Sequence, residues 1–149
     1  MRVSLRATYG IMAAVDIAMQ VGTAPVQAKS IARRQAIPAR FLEQVLHGMK
    51  KAGLVSSVRG AQGGYVLLKK PSEVSVVEIL EALDGPLIHP NSGAGSPQGR
   101  RLSKPEMLLG KVWKQVYQAE RHVLEAISIE ELAEQQRVLE QERSLMYHI

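Results

Sequence analysis

Hydrogen-bonding side chains cluster on one side of the segment from residue 38 to residue 51. The apolar residues of this segment recur at helical spacing, which leaves the opposite side to polar groups. Arginine can pair with guanine, glutamine with adenine, and glutamate can accept from the amino group of cytosine. We therefore predict base contacts from Arg40, Gln44 and Glu43. The other residues of this side are Pro38, Ala39 and His47, whereas Phe41 belongs to the apolar stripe.

Glu43 carries a charge that needs its own explanation. A carboxylate within a basic element repels phosphate, so a role in base selection is favoured over a role in affinity. A glutamate that is simply solvated on a helix surface is the alternative. The sequence leaves both open.

A glycine-rich segment, Gly60-Ala-Gln-Gly-Gly64, separates two short β-branched runs and predicts a hairpin with a glycine-rich tip. Arg59 and Gln62 lie in this tip together with Gly60. Insertion of such an arginine into a narrow minor groove is consistent with this composition. A phosphate-binding nucleotide loop is excluded, because no lysine with serine or threonine follows and the segment joins strand to strand.

Basic residues are concentrated in the first half of the chain. Residues 1–70 carry eleven Lys and Arg against two acidic residues, a balance of +9, whereas residues 71–149 carry eight against twelve, a balance of −4. This asymmetry is typical of a module that binds a polyanion, although solvated helix faces are an alternative explanation. We predict phosphate contacts from Lys29, Arg33 and Arg34, with Arg2 and Arg6 beside them.

The sequence lacks the residues on which most catalytic and metal chemistry depends. It contains no cysteine, which excludes disulfides, cysteine nucleophiles and a cluster held by the chain's own thiolates. No HExxH or GxSxG motif occurs, and the histidines at 47, 89, 122 and 148 are scattered. We therefore expect neither an enzyme nor a bound metal or cofactor. For His89, a solvated side chain and a sensing role both stay open.

The 149 residues correspond to about one domain with an attached oligomerisation element. Aromatic residues make up 4% of the chain, so the core is expected to be aliphatic. No apolar run reaches the length of a membrane span, and Asp16 and Gln20 interrupt the run from 11 to 21. We expect a cytoplasmic protein without a signal sequence.

Hydrophobic periodicity predicts three helices, over residues 4–21, 28–35 and 38–51. A tight turn joins the second to the third, and Pro38 suits the first turn of a helix. Gly53 suits the left-handed position after the third helix. Strands over 54–59 and 65–69 then flank the glycine-rich tip. This order predicts a mainly α fold with a winged helix-turn-helix domain, including a two-stranded β wing, over residues 1–85.

The second half predicts three further helices and a loop. A capping box at Ser75 opens a short helix to about residue 83, and capping boxes at Ser103 and Ser128 open a long helix and a last helix. Residues 86–104 are rich in proline, glycine and serine and predict a flexible loop. Residues 105–149 are thus predicted to form a dimerisation helix and a C-terminal helix.

The long helix has an apolar stripe that must be removed from water. Pairing with the same helix of a second chain is the simplest solution and predicts a two-fold dimer. Folding back onto its own winged domain is the alternative. The residues predicted to form the dimer contact are Leu109, Val112, Trp113, Val116, Tyr117 and Val123.

The stretch FLEQVLHGMKKAGLVSSVRGAQGGYVLLKKPSEVSVVEILEALDG (41–85) resembles bacterial regulators of the IscR and NsrR type, the Rrf2 family. The opening MRVSLRATYGIMAAVDIA and the segment IARRQAIPARFLEQ resemble the first helix and the helix-turn-helix of that family. The resemblance implies a homodimeric transcription regulator, usually a repressor, on a partly palindromic operator. It matches Arg40, Phe41, Glu43 and Gln44 to the recognition helix, and Arg59, Gly60 and Gln62 to the wing.

One departure from the family pattern concerns its cofactor. Many members hold an iron–sulfur cluster on three cysteines in the loop before the dimerisation helix. Here that loop is LIHPNSGAGSPQGRR and contains none. The chain is therefore expected to function without a cysteine-ligated cluster. Its signal, an effector metabolite, a partner protein or none, is not specified by the sequence.

Our leading hypothesis is a sequence-specific, DNA-binding homodimeric repressor. A winged-helix module that binds other proteins is the first alternative, and a small-molecule sensor or enzyme is the second. The operator, the target genes and the choice between activation and repression are not encoded in any pattern that we can read.

Overall fold

The computed structural model describes residues 1–20, 22–87 and 101–148. Its regular elements are mainly helical, with one antiparallel pair of strands among these residues. In chain order they are α1 Leu5–Met19, α2 Ala28–Gln35, α3 Ala39–Lys51, β1 Val55–Val58, β2 Gly64–Leu67, a 3₁₀ turn Pro71–Glu73, α4 Val76–Asp84, α5 Lys104–Glu125 and α6 Ile129–Tyr147. The predicted winged helix-turn-helix order, three helices and then a hairpin, is confirmed.

The helix ends follow local capping chemistry. The hydroxyl of Ser4 accepts from the backbone N–H of Ala7 at 3.0 Å and so begins α1. Pro38 stands at the N-cap of α3, and Gly53 follows its last turn with a φ of +76°. The first helix ends at Met19, two residues before the predicted boundary. The 3₁₀ turn was not predicted from the sequence.

The core is aliphatic and is centred on α1. This helix contacts α2, α3, α4, α6 and β2, and its buried side consists largely of alanine and glycine. Small side chains allow several elements to approach one helix closely, and the larger residues of those elements then fill the space between them. The largest fully buried apolar side chains are Ile31, Leu42, Val45, Leu46, Met49, Val55, Val74, Ile79 and Ile129.

Two glycines form a notch that receives the end of α4. Leu83 packs between Gly10 of α1 and Gly48 of α3. A Cβ atom on Gly10 would lie 2.3 Å from Cδ1 of Leu83, and one on Gly48 would lie 2.9 Å from its Cδ2. Both distances are too short for a methyl group, so the two glycines determine how closely α1, α3 and α4 approach one another.

The wing is extended by a third short segment. The backbone N–H and C=O of Val26 pair with those of Tyr65 at 2.9 and 2.8 Å, so the residues before α2 lie alongside β2. A Cβ atom on Gly64 would lie 2.5 Å from the backbone of Val26, which explains the glycine at this crossing. The sequence predicted only two strands, because a single bridge leaves no alternating pattern.

The last helix shares the core of the first 85 residues. Ile129 and Ala133 are buried against it, and the N–H of Ile129 donates to the C=O of Val74 at 2.8 Å. The N–H of Val76 donates in turn to Ile127 at 2.9 Å. The sequence grouped this helix with α5, whereas the structure packs it on α1. The predicted flexible loop, with His89, lies mostly outside the described residues.

The long helix α5 leaves its apolar stripe exposed in a single chain. Its start is a complete capping box between Ser103 and Glu106, as predicted. Gly110 is its one buried residue, while Leu109 is 54% exposed and Trp113 37%. Folding back onto the same winged domain therefore does not cover the stripe. No helix within the described ranges is long and apolar enough to cross a membrane.

A double-mutant cycle tests the glycine notch. Gly10→Ala should lower the free energy of unfolding by about 1–3 kcal/mol through overpacking. Leu83→Ala should lower it by about 2–5 kcal/mol by leaving a cavity. The double variant should cost clearly less than the sum, because the new methyl group occupies space that Leu83 vacates. Denaturant titration of the four proteins measures these values, and strictly additive costs would contradict the packing.

Candidate nucleic-acid interface

Helix α3 has one buried and one exposed side. Leu42, Val45, Leu46 and Met49 are buried in the core. The predicted base-reading residues Arg40, Glu43 and Gln44 are all exposed, as are Pro38 and Ala39 at the start of the helix and His47 one turn further on. The side of α3 that carries polar groups is thus free to contact a ligand, because its apolar side supplies the packing.

Phe41 differs from its neighbours in being half-buried. Its ring meets the ring of Tyr9 edge-on, with centroids 5.5 Å apart and an interplanar angle of 84°. This geometry is favourable for aromatic pairs. Phe41 therefore packs the start of α3 against α1, and any contact with a ligand would come from its exposed edge.

The turn between α2 and α3 is short and fixed by the backbone. Ala36 adopts a left-handed conformation with a φ of +53°, the one non-glycine residue with positive φ in the described part of the chain. The N–H of Ile37 then donates to Ala32 at 3.0 Å, and the Ile37 side chain is buried. This turn sets the angle between the two helices of the helix-turn-helix.

Arg34 has a partner that the sequence analysis did not identify. Its guanidinium donates two hydrogen bonds to the carboxylate of Asp16 on α1, at 2.9 and 2.6 Å. Asp16 is 2% exposed, and the side-chain amide of Gln35 donates to it as well, at 2.9 Å. The hydrogen bond to Asp16 raises the pKa of Arg34, against a smaller opposing effect of burial. Arg34 therefore holds α2 on α1, while its side chain stays 38% exposed, so a phosphate contact through its remaining N–H groups stays a prediction.

The other predicted phosphate-contacting residues are exposed. Lys29 and Arg33 lie on α2, and Arg2 lies just before α1. The guanidinium of Arg6 reaches α3, since a Cβ atom on Gly48 would lie 2.9 Å from its Nη2. Lys29 and Arg33 thus belong to the helix-turn-helix itself, and Arg6 of α1 reaches its second helix.

The wing tip exposes the predicted residues Arg59, Gly60 and Gln62. A Cβ atom on Gly63 would lie 2.1 Å from the backbone oxygen of Val58, so this glycine is required by the turn itself. Glycine has no side chain, so a ligand or another part of the backbone can approach it closely. For Gly63 and Gly64 the structure shows that the close approach is to the protein's own backbone.

Side chains also connect the wing to both helices of the helix-turn-helix. The Nζ of Lys50, at the end of α3, donates to the hydroxyl of Ser57 in β1 at 2.8 Å. The Nε2 of Gln27, at the start of α2, donates to the backbone oxygen of Ala61 in the tip at 3.4 Å. At the other end of the hairpin, Lys69 pairs with Glu78 of α4 at 2.9 Å. Lys50 and Lys69 are therefore engaged within the protein.

An exposed polar helix, a wing and a basic first half together define a winged helix-turn-helix protein that binds DNA. The family model for Rrf2, described as an iron-dependent transcriptional regulator, matches residues 3–135. The chain belongs to the Rrf2 family and is a DNA-binding transcription regulator. Relatives in this family are named as regulators, so the enzyme hypothesis is set aside.

Individual relatives agree with this assignment. The chain is 32% identical over 133 residues to the HTH-type transcriptional regulator CymR of Bacillus subtilis, covering 89% of this chain and 90% of that protein. It is 35% identical over 142 residues to IscR of Photorhabdus laumondii, covering 94% and 84%. The solved structure of CymR, the global cysteine regulator of B. subtilis, superposes with a TM-score of 0.74 at 29% identity, covering 90% of this chain and 97% of that one.

The iron dependence in the family description can be tested against the residues of this chain. Iron–sulfur clusters are held mainly by cysteine thiolates, and the sequence has none. Within the described ranges, no group of three or more His, Asp or Glu residues is placed to hold a metal ion. The available ligands therefore do not fit a thiolate-held cluster.

A comparison of adjacent arginines tests the role of Arg34. Arg34→Gln leaves the buried carboxylate of Asp16 without its main partner and should lower the free energy of unfolding by about 3–5 kcal/mol. Arg33→Gln removes the same charge from an exposed position and should change stability by no more than about 0.5 kcal/mol. Denaturant titration of both variants gives the answer. Equal, small effects would show that the pair with Asp16 does not hold the two helices together.

Proposed function

We propose that the chain is a cytoplasmic homodimeric repressor that binds a partly palindromic operator without a cysteine-ligated iron–sulfur cluster. The observation that carries this proposal is the exposed side of α3, where Arg40, Glu43 and Gln44 are held in place by the buried side of the same helix. These three side chains match the hydrogen-bonding edges of guanine, cytosine and adenine. Helix α3 would enter the major groove, as in other helix-turn-helix proteins.

The remaining DNA contacts are assigned by position. Pro38, Ala39 and the exposed edge of Phe41 would adjoin the bases at the start of α3. Arg59, Gly60 and Gln62 would meet the minor groove through the wing. Lys29 and Arg33 would contact phosphates and set the orientation of the domain on the duplex. Arg34, two of whose N–H groups are bound to Asp16, would contact phosphate through those that remain.

Dimerisation is proposed through α5. Leu109, Val112, Trp113, Val116 and Val123 are exposed along the helix, and Tyr117 is half-buried beside them. An apolar surface of this kind is rarely left exposed to water in a monomeric protein. Pairing of two copies about a two-fold axis would cover it and would place two recognition helices on two half-sites.

The signal that controls the protein is proposed to be an effector metabolite or a partner protein. The absence of thiolates removes the iron–sulfur input that many family members use. Helix α5 and the C-terminal end of α4 flank the segment in which that input would be located. No ligand chemistry in the described residues selects between the two kinds of effector.

A winged-helix module for protein contacts is the alternative function. Titration of a labelled random duplex with the purified protein at several salt concentrations distinguishes the two. A DNA-binding protein should lose affinity steeply as salt rises, because it releases counterions from the phosphates. Failure to bind duplex DNA at low salt would favour the protein-contact module.

Substitution of Glu43 tests base selection. Glu43→Ala should reduce discrimination at one base pair of each half-site by about 1–3 kcal/mol while nonspecific affinity is retained or rises, since a carboxylate repels phosphate. Glu142→Ala, which removes the same charge from the exposed end of α6, is the control and should leave selectivity unchanged. Competition binding with single-base operator variants measures the effect. Equal loss of affinity for all sequences would show that Glu43 has a structural role.

Substitution within the α5 stripe tests dimerisation. Val112→Glu should shift the protein from twice the 16.4 kDa chain mass to that of one chain, because the carboxylate cannot be buried in an apolar contact. Lys111→Gln changes the net charge by the same amount on the opposite side of α5 and should leave the dimer intact. Light scattering after size exclusion measures the mass. A monomeric wild-type protein, or a dimeric Val112→Glu variant, would contradict the proposed interface.

A further inference from the structure

We infer that Lys50 and Gln27 are positioning residues that hold the wing at a fixed orientation to the helix-turn-helix. On this inference neither residue contacts DNA, yet the selectivity of the wing depends on both. The inference rests on the proposed function, in which α3 and the wing enter neighbouring grooves. Lys50 and Gln27 would keep α3 and the wing at a fixed orientation to each other.

Lys50 is the stronger of the two connections. Its ammonium lies 2.8 Å from the Oγ of Ser57, two residues before Arg59 of the wing tip. A lysine in the last turn of a helix ordinarily stays in solvent near the helix C-terminus. The side chain of Lys51, the next residue, is exposed and makes no hydrogen bond within the described part of the chain. The two adjacent lysines thus differ in that only Lys50 joins α3 to β1.

Gln27 makes a corresponding connection from α2. It occupies the N-cap position, where serine, threonine, asparagine and aspartate are preferred, and its side chain makes no capping hydrogen bond. Its amide instead donates to the backbone oxygen of Ala61 at 3.4 Å, between Gly60 and Gln62. The side chain at this position therefore faces the wing rather than the first turn of its own helix.

Backbone hydrogen bonds alone do not hold the whole hairpin against the helix-turn-helix. The bridge between Val26 and Tyr65 ties the tip end of β2 to the segment before α2. Among the described residues, neither β1 nor the glycine-rich tip has a backbone hydrogen bond to α2 or α3. A hairpin of two short strands is only marginally stable by itself, and glycines in its tip widen the conformations available to it. Lys50 holds the first strand and Gln27 holds the tip. Together with the bridge, they attach the hairpin at three places to the elements that read DNA.

A fixed wing has a specific consequence for recognition. If Arg59 is held in place before binding, its minor-groove contact costs little ordering and remains selective for groove shape. A wing that moves freely would still attract phosphate but would read shape poorly. A positioning role therefore affects the sequence preference under the wing, whereas a phosphate contact by Lys50 would affect affinity for all sequences and the salt dependence.

The test is selection of bound duplexes from a random library by full-length variants. Lys50→Met and Gln27→Met keep a long unbranched side chain and remove the donor, and Lys51→Met is the matched control for the lost charge. Arg59→Ala identifies the base pairs that depend on the wing, and Glu43→Ala identifies those that depend on α3. Thermal unfolding of each variant is recorded in parallel.

Lys50→Met and Gln27→Met should reduce preference at the Arg59-dependent base pairs by about two- to tenfold, the range expected from losing one hydrogen bond. Both variants should keep the wild-type preference at the Glu43-dependent base pairs and the wild-type melting temperature. The dependence of affinity on salt should be the same for Lys50→Met as for Lys51→Met. Equal loss of affinity in Lys50→Met and Lys51→Met for all sequences would overturn the inference in favour of phosphate contacts.

Three further outcomes are also decisive. A lowered melting temperature with loss of preference at both sets of base pairs would overturn the inference in favour of a general structural role. If Lys50→Met and Gln27→Met both keep the wild-type sequence preference, the inference is overturned while the proposed function stays in place. A wild-type protein that enriches no sequence would overturn the proposed function, and the inference would fall with it.

Discussion

Helix α1 can occupy the centre of the protein because its buried side is largely alanine and glycine, with one charged residue, Asp16, among them. Four other helices and β2 reach it on this side. The close approach at Gly10 admits Leu83 from α4, and Asp16 binds the arginine that fixes α2. A buried carboxylate is tolerated only when its hydrogen-bonding capacity is met, so it specifies one arrangement of α2 over others. The orientation of the helix-turn-helix therefore originates in α1, which carries none of the predicted base contacts.

This arrangement separates stability from recognition. The buried side of α3 is aliphatic and its exposed side holds Arg40, Glu43 and Gln44, so the residues that would read bases are not needed to maintain the fold. The same division separates Arg33 from Arg34, which are adjacent in the chain, although only Arg34 pairs with a buried carboxylate. It also separates Lys50 from Lys51. In each pair, charge alone does not indicate which residue is structural, because that depends on what the rest of the chain places within reach.

The sequence predicted the elements well and the contacts between them less well. The three helices and hairpin followed from apolar periodicity and the positions of glycine and proline, and the exposure of α3 followed from its stripe. The Asp16–Arg34 pair was missed because its residues lie eighteen positions apart, on different helices, where neither has a local pattern. The bridge from Val26 to Tyr65 and the packing of Ile129 on the first 85 residues are likewise long-range contacts. The packing role of Gly10 and Gly48 could not be predicted from the sequence, because it depends on their contact with the distant Leu83.

The central claim is that this arrangement of α3 and wing recognises a specific DNA sequence without an iron–sulfur cluster. The most direct measurement is selection of duplexes from a random library by wild-type protein purified in the presence of a strong iron chelator. We expect enrichment of one two-fold symmetric motif, and we expect the same motif when iron and sulfide are added back. Enrichment that appears only after iron is supplied, or binding that is sensitive to salt but selects no sequence, would contradict it.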